Sequence, residues 1–276
     1  YQLAKYRGEG KGVNIYDVIR LTHPKPAYGM AKTFKELLKG ELKSTGTWET
    51  KHVQAGQKAA EIEDAEERKE KLDELKEKNW RDLIMKNKIG YFALLRNLRN
   101  LIEQADEKTQ DAALKLLVDK DAIKKSLVLP FRFQTAAQEL SKVSGSRKFV
   151  DAIHDALDIS VSNVPRFKGK TLVVLDVSGS MEGKPKDIGG LFASVIYKAN
   201  DADLMVFATT AFYVNPSSRD SVLSIAEKAG MCQAGGGTDF HSIFRAIDKP
   251  YDRIIILSDM QGWVGYTAPT SDLKTY

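Results

Sequence analysis

Three short segments of this sequence carry oxygen donors in a pattern that suits a divalent cation. Asp176-Val177-Ser178-Gly179-Ser180 sets one carboxylate and two hydroxyls on alternate residues just as the chain leaves an apolar run. Gly235-Gly236-Gly237-Thr238-Asp239 places a threonine hydroxyl after three glycines, whose backbone freedom allows a tight turn. Asp259 closes a second apolar run, RIIILSD over 253–259. The hydroxyls of Ser178, Ser180 and Thr238, with Asp176 and Asp259 acting directly or through water, make an all-oxygen octahedral shell suited to Mg2+ or another hard divalent cation such as Mn2+. One position of that shell is left for an oxygen from outside. The competing reading is that the serines cap a helix and the aspartates are surface strand ends, which leaves three separate matches to coincidence.

Other chemistries fit these residues less well. Ser178 lacks the G-x-S-x-G setting of a nucleophilic serine, and no histidine is placed by sequence to activate it. An aspartyl-nucleophile phosphatase would want a second aspartate where Ser178 stands. The glycine turn leads into Thr238-Asp239, not into Lys-Ser/Thr, so it is no phosphate-binding P-loop. Cys232 is the only cysteine, and His23, His52, His154 and His241 have no zinc-ligand spacing. The reading is therefore of a protein that binds and does not catalyse.

The elements that must hold the donors can be read next. TLVVLD (171–176), DLMVFAT (203–209) and RIIILSD (253–259) are continuous apolar runs of the kind seen in buried parallel strands. Helical stretches at about 187–199, 220–229 and 239–247 separate them, and such alternation means an open α/β sheet. Ligands of these sheets sit outside the carboxyl ends of the strands, where Asp176 and Asp259 fall as last residues of their strands.

Upstream of a short polar link, Phe167-Lys168-Gly169-Lys170, the pattern is helical throughout. A helix capped by Asn14 carries Ile15, Val18, Ile19 and Leu21 and ends at His23-Pro24. A second helix follows Pro26 with Met30, Phe34, Leu37 and Leu38 on one stripe. Residues 57–79 read as one exposed, charge-laced helix. Further helices are expected at 89–103, 108–118, 130–142 and 147–160, interrupted at Pro130. In these, Tyr91, Phe92, Phe131 and Phe133 are expected in the core, Arg96 is expected to pair with an acidic neighbour, and Asn97 and Asn100 are expected to brace helix ends.

At 276 residues, 42% hydrophobic and 29% charged, the chain has the composition of a packed protein with room for two domains. A division at 168/169 is expected: a helical repeat domain over 1–168, short at its N-terminus, and an α/β domain over 169–276, short at its C-terminus. No apolar run reaches the roughly 20 residues of a membrane span. With one cysteine and no signal-peptide layout, a cytoplasmic protein without a membrane partner is expected. Residues 1–170 hold 33 lysines and arginines against 25 acidic residues, while the remainder holds 9 against 12. The first 60 residues are the most lopsided, at 11 basic to 5 acidic, and offer a surface for a polyanion unless the excess serves only solubility.

Two resemblances follow from the residues already quoted. The cation segments, in order, spacing and strand context, resemble the metal-ion-dependent adhesion site of the von Willebrand factor A family. Asp17-Val18-Ile19-Arg20-Leu21-Thr22-His23-Pro24-Lys25-Pro26, Ala93-Leu94-Leu95-Arg96-Asn97-Leu98-Arg99-Asn100 and Leu129-Pro130-Phe131-Arg132-Phe133 look like segments of the TROVE domain of the Ro ribonucleoprotein family. Gly46-Thr47-Trp48-Glu49 is similar to its bacterial members. What this implies is an array of HEAT-like helical repeats followed by a Rossmann-like von Willebrand factor A domain with a mostly parallel sheet, the array's ends joined by the module into a ring.

The same resemblance implies a function. Ro proteins bind small Y RNAs on a basic outer surface and take single-stranded 3′ ends of misfolded noncoding RNAs into the hole, serving RNA quality control, in bacteria beside an exoribonuclease. The expected partners are thus a small structured, Y-like RNA and an exoribonuclease, for a protein that is itself a monomer. Lys5, Arg7, Lys11, Arg20, His23 and Lys25 cluster in a region matching a family RNA-binding segment and would contact mostly phosphate. His23 is equally well read as a helix-end residue. An adaptor that captures an acidic protein partner through the cation site, without RNA, is the alternative. A metal-assisted hydrolase is the third class and predicts turnover that chelation abolishes.

Overall fold

A computed structural model of the chain describes residues 13, 15–39, 41, 46–262 and 270–275. Its residues fall into two compact units. One lies within 1–89 and Gln104–Thr109, the other within Gly90–Glu103 and 110–276.

The first unit holds helices α1 (Ile15–Thr22), α2 (Met30–Leu38), α3 (Trp48–Ala59) and α4 (Ala65–Met85). The cap expected at Asn14 lies outside the described residues. α1 stops where His23 takes a left-handed φ of 43° and Pro24 supplies no N–H. The charged run over 57–79 is not one helix. Asp64 breaks it: its carboxylate accepts from the N–H groups of Glu66 (2.9 Å) and Glu67 (2.8 Å), which makes it the N-cap of α4. Glu66 and Glu67 then sit in a first turn whose dipole favours them.

α3 and α4 pack through an aromatic cluster. Trp80 is fully buried, its ring stacked on Trp48 and tilted 50° to His52, with centroids 6.5 and 4.8 Å away. The indole N–H donates to Gln104 at 3.0 Å, and Asn79 donates to the Lys51 carbonyl, also at 3.0 Å. His52 Nε2 is buried with no hydrogen-bond partner. Arg81 pairs with Asp106, whose carboxyl is held down at about 2, first by hydrogen bonds from Thr109 and then by Arg81.

The second unit holds α5 (Tyr91–Arg96), α6 (Leu98–Gln104) up to Glu103, α7 (Glu107–Leu117) from Gln110 on, α8 (Lys120–Ser126), α9 (Pro130–Leu140) and α10 (Arg147–Ser160). α5 and α6 replace the single helix expected over 89–103. The buried Asn97 interrupts it, donating to the Ala93 carbonyl at 2.8 Å while accepting from Asn100 at 3.2 Å. Pro130 does not interrupt a helix but opens α9, a position where its missing N–H costs nothing. Tyr91 and Phe133 are buried and in ring contact, and the Tyr91 hydroxyl donates to the Leu117 carbonyl, its ionisation pushed far up by burial.

The sheet of this unit has the order β3-β2-β1-β4, with β1 (Thr171–Asp176) parallel to both β2 (Asp203–Phe207) and β4 (Arg253–Leu257). β3 (Ala211–Val214), which the sequence pattern does not announce, runs antiparallel along the outer side of β2. Helices α11 (Lys184–Asn200), α12 (Val222–Gly230) and α13 (Phe240–Ala246) complete the α/β part, and α14 (Thr270–Thr275) follows. β1 is buried along its whole length because both faces are covered. Val173 and Leu175 face a core with Ala193 and Ile225, while Leu172 and Val174 face Phe240 and Ile243. The fold class is therefore that expected, a helical part followed by an α/β part with a mostly parallel sheet.

One group of the unit crosses from the helical array to the α/β part. Asp158 on α10 accepts from the Val222 N–H at the start of α12 (2.8 Å) and from Lys198 on α11 (3.3 Å).

Burial, and behind it Lys76, lowers the pKa of His52 below its ordinary 6.5. The unfolded chain therefore takes up the proton first as pH falls below about 6.5, so the stability His52 leaves intact at neutral pH is lost on acidification. Denaturant midpoints followed by tryptophan fluorescence should fall between about pH 7.5 and 5.5, a window above that of Asp106. His52→Phe should flatten this dependence. An unchanged midpoint in the parent chain would mean that the two indole faces compensate the imidazolium.

Candidate metal centre

Asp176 ends β1 with its side chain wholly buried. Both carboxylate oxygens are used: Oδ1 accepts from the Ser178 N–H at 2.9 Å and Oδ2 from the Ser258 hydroxyl at 2.6 Å. The first bond folds the DxSxS segment back over the strand end, and Gly179–Met181 continues as a short 3-10 turn. It leaves the hydroxyls of buried Ser178 and exposed Ser180 3.3 Å apart.

The glycine turn is strapped to the same rim through the end of β2. Thr210 N–H donates to the Ala234 carbonyl (2.9 Å), Asp239 N–H to the Ala208 carbonyl (2.8 Å) and Gly237 N–H to the Thr209 hydroxyl (3.2 Å). Gly179 N–H donates across to the Gly236 carbonyl at 3.3 Å, joining the two loops directly. Gly235 has a φ of 99°, and a side-chain carbon there would lie 2.7 Å from Thr209 Oγ1. Thr238 is buried within this turn, and Asp239 caps α13 by accepting from the His241 N–H while pairing with Arg245.

Asp259 is not the last residue of its strand. β4 ends at Leu257, and Asp259 stands exposed two residues on, its Oδ1 accepting from the Gln261 N–H at 3.1 Å. The contact with Asp176 is made by Ser258, which also accepts from the Met260 N–H at 2.9 Å. Ser258 is the site residue that the sequence reading missed; its only signal is a hydroxyl immediately before the expected aspartate.

Asp176, Ser178 and Ser180 are thus in one hydrogen-bonded group, the turn holding Thr238 is bonded to it through Gly236, and the Asp259 loop is bonded to it through Ser258. No lysine or arginine pairs with Asp176 among the described residues, so its charge is balanced by hydrogen-bond donors alone. Nor do three or more His, Cys, Asp or Glu gather anywhere among them. Any cation here must be held largely by hydroxyl oxygens, and the donor set fits a hard ion.

Of the basic residues singled out upstream, Lys5, Arg7 and Lys11 lie outside the described residues. Arg20, His23 and Lys25 are all exposed along one short segment, Arg20 lying over the Tyr16 ring at 5.3 Å. Two expectations for the second unit are corrected. Phe92 is 40% exposed, not core, and Arg96 lies 5.7 Å from its ring centre with no acidic partner among the described residues.

Comparison with known proteins agrees with this architecture. Residues 41–153 match the family model described as "TROVE domain". The resemblance read from 93–100, 129–133 and 46–49 falls inside that match, and that of 17–26 lies upstream of it. Over 213 residues the chain is 28% identical to "RNA-binding protein RO60" of Deinococcus radiodurans, covering 68% of this chain. The same match spans 40% of the length of that curated relative. The crystal structure of Deinococcus radiodurans RO (RSR) protein superposes with a TM-score of 0.68 at 23% identity, over 99% of this chain and 62% of that one. At that identity the likeness concerns the fold.

The rim geometry separates two glycines. Gly235→Ala should lower stability by about 1–3 kcal/mol, because a strained backbone and a 2.7 Å contact coincide. Gly179→Ala should melt like the parent, since its added carbon would approach nothing nearer than the Gly236 carbonyl, at 3.5 Å. Paired thermal melts compare them; equal losses would contradict the geometry.

Proposed function

We propose that this chain is part of a noncoding-RNA-binding scaffold of the Ro type, binding Y-like small RNAs or the 3′ ends of misfolded RNAs in cytoplasmic RNA quality control, without catalysing a reaction. The observation that carries the reading is the TROVE match over 41–153 within a chain that resembles a relative named as RNA-binding. The exposed Arg20, His23 and Lys25 support it, since exposed cations on one segment contact phosphate without needing sequence. Lys5, Arg7 and Lys11 belong to the same proposed surface. A monomeric ring of HEAT-like repeats, divided at 168/169 from a von Willebrand factor A domain and working beside an exoribonuclease, is the corresponding assembly.

Within this reading the α/β rim is a magnesium-type site. Asp176, Ser178, Ser180, Thr238 and Asp259 would hold the cation, and Ser258 would keep the Asp176 carboxylate oriented. The buried Asp176, with no cationic side chain paired to it among the described residues, is the specific support. A bound divalent ion would supply one Lewis-acidic position for an outside oxygen, such as a partner's carboxylate. The chain's own residues supply the rest: Ser258 and the Ser178 N–H fix the carboxylate, and the bond from Gly179 to Gly236 fixes the two hydroxyl-bearing loops against each other. This rim also supports the second reading, a protein adaptor acting through the cation site without RNA.

Filter binding of a small structured noncoding RNA to the full-length protein should weaken steeply between about 50 and about 200 mM salt, as counterion release requires. Absence of binding even at the lower salt would defeat the Ro-type reading. Calorimetric titration with Mg2+ should show uptake that Asp176→Asn removes. Under the scaffold reading that variant still binds RNA, whereas an adaptor would lose its partner and show no RNA binding in either form.

A further inference from the structure

A groove of about 500 Å³ in the second unit brings aromatic faces and arginines together. It is lined by Phe92, Arg96 and Arg99 from α5 and α6 and by Arg132, Thr135 and Glu139 from α9. The Phe92 ring is 40% exposed and gives the groove an apolar face open to solvent. The guanidiniums of Arg96 and Arg132 each lie 5.7 Å from the centre of that ring. Neither has a carboxylate partner among the described residues.

The other charges of the groove are already committed. Arg99 pairs with Glu103 at 2.9 Å, and Glu139 with Lys142 at 3.1 Å. Arg132 is also held in place, 4.9 Å over the Phe131 ring, which stacks in turn on Phe192 of α11 at 6.0 Å and 24°. The two like charges gathered at one ring repel each other, and an anion beside them would offset that repulsion. A flat apolar group against the ring and an anionic group beside it would complete the arrangement, and a nucleotide has both in one piece.

We propose that this groove receives one unpaired nucleotide of single-stranded RNA, its base lying on Phe92 and its phosphate between Arg96 and Arg132. The assignment rests on the RNA-binding reading above and adds a residue-level site in the second unit. A duplex cannot use it, because a paired base has both faces occupied by its neighbours.

The test is fluorescence anisotropy of a labelled uridine oligomer of about ten nucleotides, alone and annealed to its complement, with the full chain. Phe92→Leu should weaken the single strand about tenfold, and Phe92→Trp should retain binding. Arg96→Gln with Arg132→Gln should lower the slope of log affinity against log salt by roughly 0.7 for each phosphate no longer neutralised. Lys148→Gln, at an exposed cation of α10 outside the groove lining, should leave the oligomer's affinity near that of the parent. Matched melting curves exclude misfolding at these surface positions. If the parent binds no RNA, the Ro-type reading falls and this site with it. If the parent binds and the groove variants bind equally well, or weaken duplex and single strand to the same extent, the groove assignment alone is overturned. Weaker binding to an acidic peptide with RNA binding unchanged would overturn it in favour of a protein ligand.

Discussion

A carboxylate buried at the end of a central strand constrains everything around it. Asp176 has no exposed surface, and leaving it charged there without partners would cost several kcal/mol. Its two oxygens are satisfied from two directions, by the backbone of its own turn and by a hydroxyl 82 residues further along the chain. The parallel pairing of β1 with β4 is what allows both, since it delivers Ser258 to the same edge of the sheet where β1 ends. A third loop is brought in by β2 on the other side. The rim is a product of sheet order, its loops bonded to one another because three strand ends lie side by side.

The helical part is organised differently. Its long charged helix, α4, is largely solvated, yet Trp80 near its end is fully buried and sets the packing with α3. Part of the surface charge there is taken up by local ion pairs, such as Lys71 with Glu74 and Arg81 with Glu77, which are worth little individually. Arginines such as Arg96 and Arg132 stay without a carboxylate partner among the described residues and lie over aromatic rings instead. They are where a polyanion can gain most by binding, because no existing pair has to be broken first.

Much of this could be read from residue order. The three parallel strands are continuous apolar runs, and Asp176, Ser178, Ser180 and Thr238 announce themselves through alternation and a glycine turn, which are local signals. Breaks made by single side chains are harder to read: Asp64 is hidden in a run of charges, and Asn97 acts through a bond back to the Ala93 carbonyl that periodicity does not encode. β3 is four residues long with a partly exposed face, too short for alternation to register. The exposure of Phe92 depends on where α9 lies relative to α5, a tertiary fact. Ser258 carries no such signal, because its bond to the Asp176 carboxylate depends on the pairing of β1 with β4.

The bridge formed by Asp158 has a temporal consequence. Val222 is 64 residues downstream of it, and β1 waits for a neighbour that begins at Arg253. Chains emerge from the ribosome N-terminus first, at roughly 5–20 residues per second, so α5 to α10 are made well before the helices and strands that complete their core. During that interval the nascent segment exposes apolar faces that the finished unit hides. Long-range closure of this kind slows folding, and the apolar faces left uncovered in the interval are open to aggregation.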